Sequence, residues 1–314
     1  MKLEPAPEAG MDFADAARAT RAKLLSRYWD ADSTLSVARR FRANLEDMVV
    51  MVKEAQATPV LVVVAVNLRD FHPFPDAAEA PADRCLAPRT KDEADNLSPA
   101  ALQEKNQCAV VTEWPADDRL PAAIAYRQAC CRLWEGNATR AAQLLRLALE
   151  RDRFKSRATP GLNNIVRETA KKYRAPLVDT EAGFAAASPD GIPGDDLFLD
   201  YVHPTLEGEV LLARLMVEEL AKEGRVRLDD ALRQRMQKAA ERYLAGLPAN
   251  YLSASYSTLA GNLANYGMFA RSARMCRKAL ELDPDSDSLR KTLATVEELA
   301  ERERRFGPSL EPPK

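Results

Sequence analysis

The chain has 314 residues, of which 45 are basic and 47 acidic, so its formal net charge is -2. A nearly neutral chain argues against a nucleic-acid binder that works through a strong basic field. At roughly 150 residues per domain, the length suggests about two domains and allows a full hydrophobic core. Glycine is scarce, with 12 residues, which favours a helical protein.

Cysteine usage and apolar stretches indicate the compartment. The five cysteines are odd in number and form no C-x-x-C, which predicts reduced cysteines and no zinc site. The longest apolar run, residues 60–66, is far shorter than the roughly 20 residues that cross a bilayer. The first residues lack the basic start and apolar stretch of a signal peptide. We therefore predict a cytoplasmic protein with no membrane or nucleic-acid partner, no cofactor and no metal.

The first part of the chain predicts helices followed by a buried strand. Apolar residues recur at helical spacing within 12–57, and residues 59–66 are a continuous, mainly β-branched run. Such a run is typical of a strand that is buried on both faces in a parallel α/β sheet. Asn67 and Arg69 follow at the carboxyl end of this strand, where open sheets bind ligands. We expect these two residues either to bind substrate at a cleft or to cap the loop.

The middle of the chain alternates helices with one more strand. Residues 76–120 are rich in proline and charge and predict irregular structure around one short helix. A helical hairpin is predicted at 121–152 and a further helix at 160–173. Residues 175–179 are a candidate second strand, and the glycine- and proline-rich stretch 183–196 predicts a loop.

The C-terminal part is helical and contains a pattern that resembles a tetratricopeptide repeat. Residues 256–284 place a glycine between two helical stretches, as that 34-residue unit does. The small, large and turn positions of the unit match Tyr256, Leu259, Ala260, Leu263, Gly267, Phe269, Ala279, Leu282 and Pro284. Residues 125–152 match more loosely. An ordinary helical hairpin explains the same patterns and stays an alternative.

Histidine is the informative residue for chemistry, because the chain has only His72 and His203. Asp200 precedes His203 by three residues, in a loop that runs into a helix. An imidazole can take the proton of a serine hydroxyl, and a carboxylate at its other nitrogen fixes its tautomer. The spacing therefore predicts His203 as general base and Asp200 as its orienting partner, with Pro204 in the first helical turn. The alternative is a capping aspartate beside an exposed histidine.

The segment 194–208 resembles block five of the SGNH (GDSL-type) hydrolases, where Asp-x-x-His-Pro-x-x-x-Gly supplies acid and base. Phe198, Thr205 and Gly208 add to the match. The order of strand, irregular loop, hairpin, second strand, block five and repeats resembles the subgroup of that family that carries tetratricopeptide repeats. The resemblance implies an α/β fold, with an incomplete SGNH-like (flavodoxin-like) parallel sheet, a helical hairpin insertion and C-terminal tetratricopeptide-like α-helices. It also implies an ester or acetylated substrate.

The sequence departs from this family before the first predicted strand. The family's nucleophilic serine and oxyanion-hole blocks precede that strand, but the first 58 residues contain no Gly-x-Ser. Their serines, Ser26, Ser33 and Ser36, lie in polar or helical stretches. We therefore expect an N-terminally truncated hydrolase, or a remnant of one, that retains base and orienter without nucleophile. The alternative function is a non-catalytic scaffold that binds a protein partner through the tetratricopeptide-like helices.

These patterns predict three regions. Residues 1–225 form a truncated hydrolase-like domain with the hairpin 121–152 inserted, 226–304 form a tetratricopeptide-like helical region, and 305–314 form a disordered tail. Asp195 and Asp196 could join the Asp200 and His203 side chains as ligands of a hard metal ion. Since an acidic loop is usually solvated, we expect no metal there, and we expect the scattered basic residues to lie on a solvated helical surface.

Overall fold

A computed structural model of the chain describes residues 31–73, 85–89, 93–94, 97–112, 120–152, 155–265 and 267–306. These residues are mostly helical, and they divide into two compact units, one reaching to Gly246 and the other beginning at Leu247. We call the first the α/β unit and the second the C-terminal helical unit. The predictions for 12–30, for most of 76–96 and for 307–314 lie outside the described residues.

The α/β unit contains eight helices and two strands among its described residues. In chain order they are α1 (Ala31–Glu54), β1 (Leu61–Val63), α2 (Pro99–Val111), α3 (Ala122–Trp134), α4 (Ala138–Arg151), α5 (Pro160–Tyr173), β2 (Leu177–Asp179), α6 (Thr180–Ala187), α7 (Leu206–Lys222) and α8 (Asp230–Ala245). None of the described helices has an apolar stretch long enough to cross a bilayer.

The two strands pair in parallel, with Leu61 opposite Leu177 and Val63 opposite Asp179. The parallel sheet is therefore confirmed in this two-stranded form. Strand β1 is shorter than the predicted 59–66, because side chains take over its backbone hydrogen bonds. The side chain of Asn163 on α5 accepts from the Val64 N–H at 3.1 Å and donates to the Val64 carbonyl at 2.9 Å.

Separate apolar clusters lie along the β1 segment. Leu61 and Val63 pack against Val49 of α1 and Val166 of α5. Two residues beyond β1, Ala65 belongs to a second cluster, whose other members come from α6, the following loop and α7: Phe184, Leu197, Phe198 and Leu211. These contacts bury Leu61, Val63 and Ala65, whereas Val60 and Val64 are 37% and 48% exposed, so the prediction of a strand that is buried on both faces is wrong.

The hairpin predicted at 121–152 is confirmed as α3 and α4, with Gly136 at a positive φ of 73° in the turn. A disulfide joins Cys108 of α2 to Cys131 of α3, so the prediction of reduced cysteines is wrong for this pair. The odd number of cysteines hid the bond, since the other three are free and buried. Disulfides persist mainly in oxidising compartments, so this bond does not support the predicted cytoplasmic location, which stays a prediction.

Part of the loop predicted at 183–196 is helical, as α6 and a 3₁₀ turn at Pro189–Gly191. The N-cap explains the difference. Asp179 ends β2 and its carboxylate accepts from the Ala182 N–H at 3.2 Å, which starts the helix directly from the strand. The alanine-rich sequence then favours continuation of α6, in which the Phe184 side chain is buried.

The C-terminal helical unit consists of α9 (Tyr251–Asn265), α10 (Phe269–Leu282) and α11 (Asp287–Phe306) among its described residues. Helix α10 packs against both of its neighbours. Ala260, Leu263, Phe269 and Ala279 are buried, while Leu282 is half exposed. Since α11 extends to Phe306, residues 305–306 are helical and do not belong to a disordered tail.

Candidate active site

His203 lies in a closed turn that directly precedes α7. Phe198 and Pro204 form an antiparallel bridge. The Leu199 N–H donates to the His203 carbonyl at 2.8 Å, and the Thr205 N–H donates to the Leu197 carbonyl at 2.9 Å. These backbone hydrogen bonds fold residues 197–205 back on themselves and fix the backbone position of His203.

The Asp200 and His203 side chains form the predicted pair. The Nδ1 atom of His203 lies 2.8 Å from Oδ2 of Asp200. The other carboxylate oxygen accepts from the backbone N–H groups of Val202 and His203, both at 2.8 Å. The Asp200 side chain is 2% exposed, whereas that of His203 is 63% exposed. A buried, fixed carboxylate therefore orients an imidazole that faces solvent, which is the relation of orienter to base in a catalytic triad.

The remaining residues of the block-five pattern shape this turn. Thr205 is the N-cap of α7, because its hydroxyl accepts from the Gly208 N–H at 3.1 Å. Pro204 therefore precedes the helix, and the prediction that it occupies the first turn is wrong. A Cβ atom at position 208 would lie 2.4 Å from the Leu197 carbonyl oxygen. Only glycine allows the helix to approach the turn this closely.

Asn67 lies beneath the turn and is completely buried. Its side-chain amide donates to the Asp200 carbonyl and to Oδ1 of Asp195, each at 3.0 Å, and its N–H donates to the Tyr201 carbonyl at 3.1 Å. The structure thus brings Asn67 to the predicted pair. Its described contacts are with the protein, so it ties the loop after β1 to the turn that carries His203.

Arg69 is placed differently. Its side chain is 1% exposed, donates to the Ala87 carbonyl and pairs with Asp190 at 3.1 Å. Tyr126 of the helical hairpin also donates to its carbonyl oxygen. The structure therefore gives Arg69 contacts inside the protein, and the described geometry does not bring its guanidinium to His203.

Ion pairs of Arg89 connect the loop after β1 to the loop that precedes His203. Arg89 pairs with Asp70 and, at 2.6 Å, with Asp196. Burial raises the pKa of Asp70, and the neighbouring Asp195 raises it further, while the Arg89 charge opposes both effects. A Cβ at Gly194 would collide with the Arg89 and Asp70 side chains. The predicted acidic loop is therefore tied into this network, contrary to the expectation of a solvated loop.

Arg157 is a site-supporting residue that the sequence gives no signal for. Its guanidinium is buried and donates to the Asn67 and Phe71 carbonyls, both at 3.0 Å, and to Asp152 at 2.9 Å. It therefore fixes the path of the loop after β1. Together with Arg89, it contradicts the expectation that basic residues outside the candidate site lie on a solvated surface.

The described residues do not place a nucleophile at the pair. Within the described ranges, no serine, threonine or cysteine side chain lies at hydrogen-bonding distance from the His203 ring, which meets Asp200 and the Tyr201 ring. Ser36 is exposed on α1, and Ser26 lies outside the described residues. Among the described residues, the arrangement therefore consists of the imidazole and its carboxylate partner.

Comparison with models of protein families, with curated proteins and with solved structures finds no match for this chain. The geometry of the turn and the residues of the block-five pattern are therefore the basis for any function. That geometry places a buried carboxylate against an exposed imidazole, an arrangement that is suited to general acid–base chemistry.

Proposed function

We propose that this chain carries the acid–base half of an SGNH-type ester hydrolase site, with His203 as general base and Asp200 as its orienting carboxylate. The observation that supports this most is the 2.8 Å contact between a buried carboxylate and an exposed imidazole. The glycine and N-cap of the block-five pattern, which hold the turn at α7, add support.

The proposed chemistry follows from the tautomer that Asp200 selects. A carboxylate accepts the Nδ1–H of the neutral ring and so leaves the lone pair of Nε2 to the solvent side. Nε2 removes the proton of a serine hydroxyl as that oxygen attacks the ester carbonyl, and it returns the proton to the leaving alcohol. Asp200 stabilises the imidazolium that forms between the two steps.

In the SGNH family the serine and the oxyanion donors come from blocks that precede the first strand, and the proposal assigns the attacking hydroxyl and the oxyanion donors to groups of that kind. A substrate ester or acetyl group would meet them at the exposed face of His203. Arg157 fixes the loop after β1, and Asn67 ties that loop to the turn, so these residues position the pair without touching the substrate.

Labelling with a fluorophosphonate probe tests the proposal, because the probe reacts with serines that a neighbouring base activates. The protein is isolated from the cells that make it and compared with two variants, His203→Ala and Glu207→Ala. Glu207 is exposed and lies one helical turn beyond His203, so its variant is a matched control. We expect labelling that His203→Ala abolishes and Glu207→Ala retains. A folded protein that is never labelled contradicts the proposal.

The second candidate is a protein-interaction scaffold. The separate packing of α9, α10 and α11 supports it, because a helical unit with its own buried residues could bind a partner without the Asp200–His203 pair. In that case the protein stays unlabelled, and loss of the C-terminal helical unit abolishes partner binding while His203→Ala does not.

A further inference from the structure

Three metal-ligating side chains lie together away from His203. We call Cys85, Glu104 and Cys130 the thiol–carboxylate cluster. One ligand atom from each residue lies within 4.8 Å of the others, and within the described part of the chain no other group of three or more such residues meets this condition. Both thiols are buried and free of disulfides, and the carboxylate is half buried.

The cluster residues come from three separate stretches of chain, which hydrogen bonds join to one another. Cys85 precedes α2, Glu104 lies on α2, and Cys130 lies on α3. The Cys85 N–H donates to the Tyr126 hydroxyl at 2.9 Å. The Leu86 N–H and the Trp134 indole N–H both donate to Oε1 of Glu104 at 3.0 Å. These contacts fix the backbone at Cys85 and the orientation of the carboxylate, which a preorganised metal site requires.

The dimensions and the chemistry of the cluster suit zinc. Zinc lies about 2.3 Å from thiolate sulfur and about 2.1 Å from carboxylate oxygen, so the ligand atoms of a tetrahedral site are roughly 3.6–3.8 Å apart. Separations within 4.8 Å need only small side-chain movements to reach these values. Magnesium and calcium prefer oxygen ligands throughout, and two thiolates exclude them.

We propose that the thiol–carboxylate cluster binds one zinc ion, with a water molecule as the fourth ligand. The cysteines bind as thiolates and release their protons to solvent when the ion enters. The half-buried Glu104 gives the ion its route from solvent. Arg69 and Arg127 lie close enough to act electrostatically on Glu104, and they offset the negative charge that remains after binding. The ion joins the segment before α2 to the helical hairpin.

The site has no signature in the sequence. Its ligands are separated by 19 and 26 positions. The absence of C-x-x-C, which predicts no zinc site, therefore does not exclude a site of this kind. The proposal is independent of the hydrolase function, because the cluster shares no residue with the Asp200–His203 pair.

Zinc content and cobalt substitution test the proposal on the full chain, purified without chelators. We expect about one zinc per chain, and a thiolate-to-cobalt charge-transfer absorption after replacement by cobalt(II). Cys85→Ser and Cys130→Ser are expected to lose both signals. Cys276→Ser is the matched control, because Cys276 is also free and buried but lies in the C-terminal helical unit.

A further variant guards against misfolding of the serine variants. Glu104→Gln keeps the shape of the side chain and its acceptor oxygen, and we expect it to lower zinc affinity, measured by competition with a chelator, by more than about tenfold. The proposal is overturned if the folded chain takes up no zinc, or if mass spectrometry finds a Cys85–Cys130 disulfide in the isolated protein. Stoichiometric zinc that survives all three cluster substitutions overturns it as well.

Discussion

Replacement of Gly208 by alanine tests whether the turn that carries His203 is as tight as described. A Cβ at this position would lie 2.4 Å from the Leu197 carbonyl oxygen and 2.9 Å from Cβ of Pro204. The Leu197 carbonyl also accepts the Thr205 N–H at 2.9 Å, so it cannot move without opening the turn. The added methyl group must therefore displace the start of α7 or the turn itself.

The expected magnitude is the difference between two opposing effects. Alanine in place of glycine stabilises a helix interior by up to about 1 kcal/mol, and by less in the first turn. Overpacking against a fixed neighbour costs about 1–3 kcal/mol. We expect Gly208→Ala to lower the free energy of unfolding by about 1–2 kcal/mol, the balance of these effects. Gly261 in α9 has nothing within 4 Å of its Cβ position, and Gly261→Ala should raise stability by about 0.5–1 kcal/mol.

Urea unfolding measures both changes. Tryptophan fluorescence reports on the α/β unit, where Trp134 lies, and far-UV circular dichroism reports on both units. For a unit of about 200 residues, each kcal/mol shifts the thermal midpoint by about 2–4 °C. The reasoning is refuted if Gly208→Ala is as stable as the parent chain while Gly261→Ala shows the expected gain, because the close approach to Leu197 would then not exist.

Two further predictions concern ion pairs, one that is buried and one that is partly exposed. Arg157→Met removes the N–H donors of two loop carbonyls and of the buried Asp152, and it should lower the free energy of unfolding in urea by about 3–5 kcal/mol. Arg146→Met, at an exposed position of α4, is the control and should change that free energy by no more than about 0.5 kcal/mol. Equal effects of the two substitutions would show that Arg157 does not fix the loop. Burial raises the pKa of Asp179, but the hydrogen bond and charge of Arg167 outweigh it and set that pKa below its usual range. This pair therefore stabilises the fold above about pH 4 and loses its contribution as the pH falls through the lowered pKa. Asp179→Asn should flatten the decline of stability below about pH 4, and an unchanged decline would contradict the assignment.

The sequence predicts the elements whose signal is local or strongly periodic. Parts of the runs at 59–66 and 175–179 form the parallel strands β1 and β2, because short runs of branched apolar residues favour buried strands. The extent of β1 could not be predicted, since the Asn163 side chain on α5 takes over the hydrogen bonds of Val64. Such side-chain substitution for a sheet partner depends on the tertiary fold and has no periodicity.

The candidate site divides in the same way. The Asp200–His203 contact spans three residues, so spacing alone predicts it. The contacts that hold it in place are long-range: Asn67 reaches Asp200 across 133 positions, and Arg157 reaches the Asn67 carbonyl across 90. Nothing in the neighbourhood of Arg157 distinguishes it from a surface arginine. The Cys108–Cys131 disulfide joins two helices across 23 positions, and the odd number of cysteines gives no reason to expect it.

The tautomer of His203 tests the central claim most directly. Nitrogen-15 NMR of the imidazole rings distinguishes Nδ1–H from Nε2–H, and the chain has only two histidines, so His203→Gln assigns the signals. The account predicts that neutral His203 carries its proton on Nδ1, and that Asp200→Asn, whose amide can donate to Nδ1, shifts the proton to Nε2 while Glu207→Gln does not. A His203 ring that carries its proton on Nε2 in the parent chain, unchanged by Asp200→Asn, would contradict the claim that Asp200 prepares a base.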